Sequence, residues 1–523
     1  MTNKINEEQK QIALMADEYS NENIDTISAF IQIPYALINS EVEGEGKDLL
    51  AELTQIRKDY IIYKKGAPFS TEGTNGKYVA ASLRYKMASS LINKEARFLF
   101  SETPDIDIMP RGTEGGLTET YKVNLQRWNT FIDMVLKKNM FDDTLLKAAK
   151  DCFIGKRVAA LVNFNEEDGI TITFLPSLQF IYETKDNNPN VIRKFVAYMV
   201  INNVFSNTER RIFKKKYELD EQGRVILTEG LYDGAGTLIT SYAEEVVIEG
   251  LTQIPAVVFI NDGLSGEEKG ESEIELLQDF ERWYSRLSSA DIDAERKSMN
   301  PTKYTIDMEG NSTKDLSTGA GAFWDLQSDQ NLDNAHPSVG ILEPGMNYSN
   351  SLKQTLDRIK TVGYEQVDMP NITLETMTGN VTSGKALKAI YWPLIVRCKE
   401  KMKMWGPKLQ DLITIIVEGA LAFPYISQKY ISEPLEKIDY DVEVKQNLPL
   451  PEDEAEEKQL DIAEVEAKVM SRKAYMKKWR GLSDAEVEEE LQQIALERQM
   501  IEDTELLPEI GNSMVGGNNP PEA

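Results

Sequence analysis

The stretch "SEIELLQDFERWYSRLSSADIDAERKSMNP", residues 272–301, reads as one long helix with a marked start and a marked end. Ser272 and Glu275 stand in the S-x-x-E spacing of a capping box, where serine and glutamate each satisfy a free N–H of the first turn. Ile274, Leu277, Tyr284 and Leu287 recur on one face while the other faces are polar, the pattern of a helix that buries a stripe. Asn300-Pro301 closes it, because the residue before a proline is pushed out of the helical region. At about 1.5 Å per residue, 272–299 predicts a rod of roughly 40 Å. So long a rod with so narrow a stripe needs partners.

One partner comes shortly after. "NYSNSLKQTLDRIKTVGYEQV" (347–367) places Leu352, Leu356 and Ile359 on one helical face. Between the two helices lie short irregular pieces, "KYTIDM", a Gly/Ser/Thr loop and "GAFWDLQ", which predict a small module containing strands. Phe323 and Trp324 in the last of these are large apolar groups in a segment with little core of its own. Their reading stays open between a local core and a subunit or partner interface.

Upstream, residues 1–150 predict helices, above all 77–101 and 121–153. From about 156 the period changes: "KRVAALVNF" and "ITITFLP" form a hairpin turned at Asp168-Gly169, and "FVAYMVINNV", "RRIFKKKYEL", "GRVILTEG" and "IPAVVFI" follow. Residues 156–260 are therefore mainly β, and the fold class is α+β, mainly helical. Downstream, a long helix from 382 contains Pro393, which predicts a kink, and Pro407 after Gly406, which predicts a second break. "LQDLITIIVEGALAF" carries an apolar helix to about 423. Residues 451–523 hold 19 acids against 8 bases, predict charged helices to about 505, and end in a tail of disordered composition. No period repeats along the chain.

Composition narrows function. The chain has 523 residues, which predicts two to four domains, with 41% hydrophobic and 28% charged residues. No run of about 18 apolar residues occurs and the start "MTNKINEEQKQ" carries no signal-peptide core, which predicts a protein of the cytoplasm or of an assembly built there. Cys152 and Cys398 lack metal-ligand spacing and read as buried free thiols. A single histidine, His336, rules out His-rich metal sites and leaves triad chemistry one residue to use. No metal or cofactor is implied. The net charge of −28 argues against tight, static nucleic-acid binding, yet it suits DNA that slides past a wall holding nothing to grip its phosphates.

One motif demands a decision. From Gly379 the chain runs G-N-V-T-S-G-K, the G-x-x-x-x-G-K of a phosphate-binding loop. A working loop follows a buried strand, opens a helix and carries Ser or Thr after the lysine to hold Mg²⁺. Ala386 stands at that last position, and the preceding "DMPNITLETMT" is polar and broken by Pro370. Only the following helix meets the requirement, so a P-loop ATPase is the alternative reading, beside an acidic helical scaffold without a channel.

The order of parts resembles the tailed-bacteriophage portal proteins, the family typified by the Bacillus phage SPP1 portal. "KMASSLINKEARFLFSETPDI", "IPAVVFINDGLSGEEKGESEIELLQDFERWYSRLSSADID", "PNITLETMTGNVTSGKALKAIYWPLIVRCKEKM" and "VEVKQNLPLPEDEAEEKQLDIAEVEAKVMSRKAYMKKW" carry it in that order. The resemblance spans most of residues 80–480, and residues 1–60 have no part in it. It implies a wing over 1–270, stem helices over 271–299 and 347–369, a clip over 300–346, a tunnel loop over 370–381, a kinked long helix and crown over 382–505, and a free tail over 506–523. It also implies a non-enzymatic ring of twelve copies in the virion, at one capsid vertex. Double-stranded DNA is packaged through that ring by terminase and later ejected, and the head-tail adaptor docks on it. Terminase, adaptor, major capsid and scaffolding proteins and sliding DNA are then the partners, and no membrane is.

Under this resemblance the glycine-rich loop needs no nucleotide. Gly379 and Gly384 give it permissive dihedrals. Thr378, Asn380, Thr382 and Ser383 are small and neutral, suited to weak contact with passing phosphates. Lys385 and Lys388, one turn apart, either meet phosphates, pair with acids of the next subunit or stay solvated.

Overall fold

The computed structural model describes residues 34–42, 46–69, 80–111, 118–201, 211–264, 269–299, 302–306, 338–342, 345–372, 384–449, 454–480, 487–488 and 490–496. The chain divides into two compact units, Met1–Ile372 with Tyr391–Pro449, and Thr373–Ile390 with Leu450–Ala523. Helices α1 (Tyr35–Glu41), α2 (Gly46–Lys65), α3 (Met87–Phe100), α4 (Glu119–Lys138) and α5 (Phe141–Gly155) precede the run of strands between Arg157 and Ile260. After them come α6 (Glu273–Met299), α7 (Ser349–Glu365), α8 (Gly384–Ala422), α9 (Pro424–Ser427), α10 (Glu454–Glu466) and α11 (Arg472–Arg480). The molecule mixes helix and sheet, as an α+β chain does.

Among the described residues the strands of the first unit form four sheets. Strands β2 (Arg157–Asn165), β3 (Gly169–Pro176) and β9 (Ala256–Ile260) pair in the order β3-β2-β9, all antiparallel. The hairpin register runs from Val158 opposite Pro176 to Asn165 opposite Gly169, and Gly169 takes φ +83 at its turn. Five more strands, β4 (Phe180–Lys185), β5 (Asn188–Ile201), β6 (Arg211–Leu219), β7 (Val225–Asp233) and β8 (Leu238–Ile248), form a meander in sequence order. Ala159, Leu161 and Leu175 of the smaller sheet pack with Phe195, Ala197 and Tyr217 of the larger. Alternation of side chains along each strand aims these residues at the shared core.

Two small pairings join distant parts of the sequence. β1 (Asp105–Pro110) lies antiparallel to β12 (Tyr440–Lys445), with Ile106 opposite Val444. β10 (Thr302–Ile306) pairs with β11 (Ser338–Leu342) across the excursion between α6 and α7. In the second unit, α10 and α11 meet where the Trp479 indole N–H donates to Asp461 Oδ2 at 2.7 Å and Lys478 pairs with the same oxygen at 2.8 Å.

Two helical expectations are corrected. The start of α6 is not a reciprocal capping box: the Ser272 hydroxyl accepts from the Ile274 N–H at 3.2 Å and donates to the Ile154 carbonyl, while Glu275 pairs with Lys156 at 3.1 Å. A cation across the gap outbids the helix's own first turn for the glutamate. The break expected at Pro407 does not occur, for α8 runs unbroken over 39 residues with Pro393 and Pro407 both inside it. Trp405, 1% exposed, packs against Phe259 at 4.5 Å and Phe100 at 5.0 Å between centroids, and this tertiary packing holds the helix together where a proline removes a bond.

Candidate functional site

α8 leaves Gly384 and Lys385 at its first turn and roots itself in the first unit through a buried ionic cluster. Arg397 and Lys401, one turn apart, turn inward toward Glu95 of α3 and Glu273, the first residue of α6. The Arg397 guanidinium donates to both Glu273 oxygens at 2.7 Å and to Glu95 Oε1 at 2.8 Å. The Lys401 ammonium donates to Glu273 Oε1 and to Asn261 Oδ1, each at 2.7 Å, and lies 4.0 Å from the centre of the Phe153 ring. Three elements are thereby pinned together by two cations and two carboxylates.

The two carboxylates do not share the cations equally. Glu273 is fully buried, which works against its charge, but Lys401 and Arg397 outweigh that and hold it down to about 2. Glu95, equally buried and beside the Glu273 charge, is pushed up instead. Its Oε2 has no hydrogen-bond partner, so it receives only part of the compensation a buried charge requires. Cys398, next to this cluster, is buried with its thiol pushed up to about 12, and Cys152 is likewise buried and pushed up. Neither is a nucleophile in this setting.

A second construction ties α6 to the segment before α3. The buried face of α6 starts with Ile274 and Leu277 and then turns polar, to Glu281, Ser285 and Ser289. The Ala81 N–H donates to Asp293 at 2.9 Å, Leu83 to Ser289 at 2.9 Å, Tyr85 to Ser285 at 3.1 Å and Ala88 to Glu281 at 2.8 Å. The spacing explains the match. Four helical residues rise about 6 Å and two residues of extended chain advance about 6.6 Å, so the alternate N–H groups of Ala81, Leu83 and Tyr85 meet every fourth side chain, and the Ala88 N–H, at the start of α3, takes the next one. Glu281 also accepts from the Ala67 N–H at 2.6 Å. It thus closes the end of α2 and caps the start of α3, whose own N-cap residue Lys86 offers no side-chain cap.

The loop and clip candidates fall mostly outside the described residues. Thr378, Gly379, Asn380, Thr382 and Ser383 do, as do Phe323 and Trp324. Gly384 and Lys385 open α8, and Lys388 on its second turn is exposed. Among the described residues no group of three or more His, Cys, Asp or Glu could hold a metal ion, and no helix is long and apolar enough to cross a membrane. The arrangement positions helices and offers no reacting centre among those residues. Sequence reading missed both the ionic cluster and the polar face of α6. The signal was present as Arg397 and Lys401 at i, i+4 inside an apolar helix, and as Glu281, Ser285, Ser289 and Asp293 at four-residue steps.

Comparison with known proteins bears on residues 277–504, which match the family model described as phage portal protein, SPP1 Gp6-like. No curated protein sequence matches the chain. Among solved structures, a chain from "Neck of native GTA particle computed with C12 symmetry" aligns over 75% of this chain and 88% of that one, at 9% identity and a TM-score of 0.35. That likeness is too low to carry an argument. The family match begins within α6 and runs past α11, covering the later stretches in which the resemblance was read, and over these residues the chain is similar to the phage portal proteins of the SPP1 Gp6-like family.

Proposed function

We propose that copies of this chain form a closed ring at one vertex of a phage capsid, twelve in the virion, with a central channel for double-stranded DNA. Terminase drives DNA inward through the channel, the genome later leaves by it, and the head-tail adaptor docks on the ring. The observation that carries this reading is the family match over 277–504, which takes in α6, α7, α8 and the glycine-rich stretch 377–388 in the order of a portal subunit. Residues 1–270 are then the wing, 300–346 the clip with Phe323 and Trp324, and 370–381 the tunnel loop.

The physical features support a conduit and not an enzyme. A net charge of −28 leaves little for phosphates to grip. α8, which follows the loop in the chain, is held within the first unit by Arg397 and Lys401. The loop residues Thr378, Gly379, Asn380, Thr382, Ser383 and Gly384 line the passage, and Lys385 and Lys388 stand at its edge. No nucleotide is bound there, because Ala386 replaces the hydroxyl that holds Mg²⁺. The ring is assembled in the host cytoplasm with capsid and scaffolding proteins.

Electron microscopy of the purified protein tests the reading first, and particles without a central hole overturn it. Packaged DNA length per head, in a defined system with terminase, tests the loop. Gly379→Pro fixes φ near −65° and Asn380→Arg adds a ring of positive charge, and both shorten the packaged length. Normal packaging by both shows that 377–388 is not the channel lining. ATP hydrolysis by the protein without terminase would restore the P-loop reading.

A further inference from the structure

Beyond the buried cations, α8 carries an outward face of mixed character. Trp392 is 60% exposed and Val396 37%, and Lys399 and Lys403 are exposed on the same side. At 100° per residue these four positions fall within an arc of about 60°. Among the described residues neither lysine has an ion-pair partner, although the chain holds 86 acids. A second patch of opposite charge lies on β8, the edge of the five-stranded sheet, which pairs with β7 alone. Tyr242 is 61% exposed and Val246 49%, and Glu244, Glu245 and Glu249 are exposed beside them. These three acids likewise have no ion-pair partner among the described residues.

The shape of the edge selects its partner. Leu227 faces Val246 and Glu229 faces Ala243, so β8 spends an extra residue there, and Glu245 takes φ 51. Further register shifts follow toward Leu238. Such bulges turn side chains outward and interrupt the row of backbone groups that another strand would need. The edge is unfit to add a strand and presents an acidic, partly aromatic ridge suited to the side of a helix. Within one chain the Glu249 end of the acidic patch lies far from the lysines. Gly250, just after β8, lies against Ala422 at the last turn of α8, about 35 Å along that helix from Lys399.

We infer that the Trp392–Lys403 face of α8 in one copy docks on the bulged β8 edge of a second copy. The apolar pair Trp392 and Val396 meets Tyr242 and Val246, and Lys399 and Lys403 meet Glu244, Glu245 and Glu249. Two different patches joined in this way make a head-to-tail contact, which repeats from copy to copy and closes when the rotation allows. The inference rests on the ring reading and names one surface that would join its subunits.

Sedimentation at low salt tests it. Lys399→Glu/Lys403→Glu raises the concentration at half-assembly by about tenfold, and adding Glu244→Lys/Glu245→Lys to the same chain recovers it. No change, or no recovery, overturns the inference. So does loss of binding to a duplex DNA probe with assembly untouched, which would assign the lysines to nucleic acid. A covalent test is independent of affinity. The variant Lys399→Cys/Glu245→Cys, oxidised mildly, gives a ladder of dimers, trimers and higher multiples, since Cys152 and Cys398 are buried. Dimers alone, or no cross-link, overturn the contact. Hollow rings that never cross-link leave the conduit reading standing and remove this contact, whereas particles without a hole remove the conduit reading itself.

Discussion

Two groups of buried charge sit in the same unit and are built in opposite ways. At the root of α8, two carboxylates and two cations balance one another, and Glu95, Glu273 and Lys401 are nearly inaccessible. On the outer face of the five-stranded sheet, Glu41 of α1 meets three lysines, at 3.1 Å to Lys194, 3.7 Å to Lys216 and within hydrogen-bond reach of Lys214. There Glu218 lies 2.9 Å from Lys216, and the pair stays partly open to solvent. The first is dry and closed, the second wetter, with three lysines sharing Glu41, Glu183 and Glu218. In a dry cluster each partner is irreplaceable, because desolvation has been suffered by all and only the full set repays it. In the wetter one, solvent covers for a missing partner.

The largest effect should come from breaking the dry cluster. Arg397→Met leaves Glu95 and Glu273 buried with Lys401 as their only cation, and costs about 3–5 kcal/mol in a denaturant or thermal titration. Adding Glu95→Gln should return part of that loss, since the uncompensated charge is then gone. A loss below about 1 kcal/mol for the single variant would show that water enters the site.

A buried carboxylate without a cation of its own provides the contrast in pH. Asp59 on α2 is fully buried, accepts from the Gln55 amide at 3.0 Å, and has an oxygen without a partner. Burial, with the nearby Glu275 charge, lifts it to about 7 from 3.8. Its folded-state value lies above the unfolded one, so the folded protein holds this proton more tightly. Stability therefore falls as pH rises from about 4 to about 7, by a few kcal/mol at most from this group. Asp59→Asn should flatten that slope in melting curves taken across the window. Glu41 behaves oppositely. Burial pushes it up, but its lysines prevail and it is lowered, so its contribution is present at neutral pH and is lost as pH falls through that lowered value.

Smaller losses separate the acceptor ladder from the sheet cluster. Glu281→Ala removes the acceptor for the Ala67 and Ala88 N–H groups and should cost about 2 kcal/mol. Glu41→Gln keeps the shape while leaving Lys214 short of its counter-charge, and about 1 kcal/mol is expected because Lys194 and Lys216 stay within reach of Glu183 and Glu218. If the Glu41 loss equalled that of Arg397, the distinction between dry and wet clusters would collapse.

The uneven legibility of this chain has a physical origin. The hairpin at Asp168-Gly169 and the rod at 273–299 were readable because local chemistry decides them, through a turn residue at φ +83 and a long helical period. β8 was overlooked, since its residues are exposed on both sides and show no burial pattern. β1 and β12 were missed because each is short and finds its partner more than three hundred positions away. Pro407 misled because proline's local cost is fixed while the packing of Trp405 is invisible in the string. The buried cluster failed to announce itself for the same reason: in a sequence with so many charges, nothing marks Glu95 and Glu273 as the ones that meet Arg397 and Lys401. The glycine-rich stretch is the reverse case, prominent as a string, with Ala386 after Lys385 where a phosphate-binding loop carries a hydroxyl.

Lys388 should give the smallest effect on the fold, and it sharpens the contrast from the surface. It lies on the same helix as Lys401, yet it is exposed where Lys401 is 5% accessible. An exposed lysine without a fixed partner contributes within about 0.5 kcal/mol to stability. Lys388→Ala should therefore melt with the wild type, while Lys401→Ala, which strips Glu273 and Asn261 of a shared donor, should not. If Lys388 has a role it is felt in passage. On the conduit reading, packaged DNA length per head should shift in Lys388→Ala while the melting curve stays put, because an exposed charge set beside a channel acts on phosphates and not on the fold. A variant that neither melts nor packages differently would remove Lys388 from the channel edge and leave it a solvated side chain on the second turn of α8.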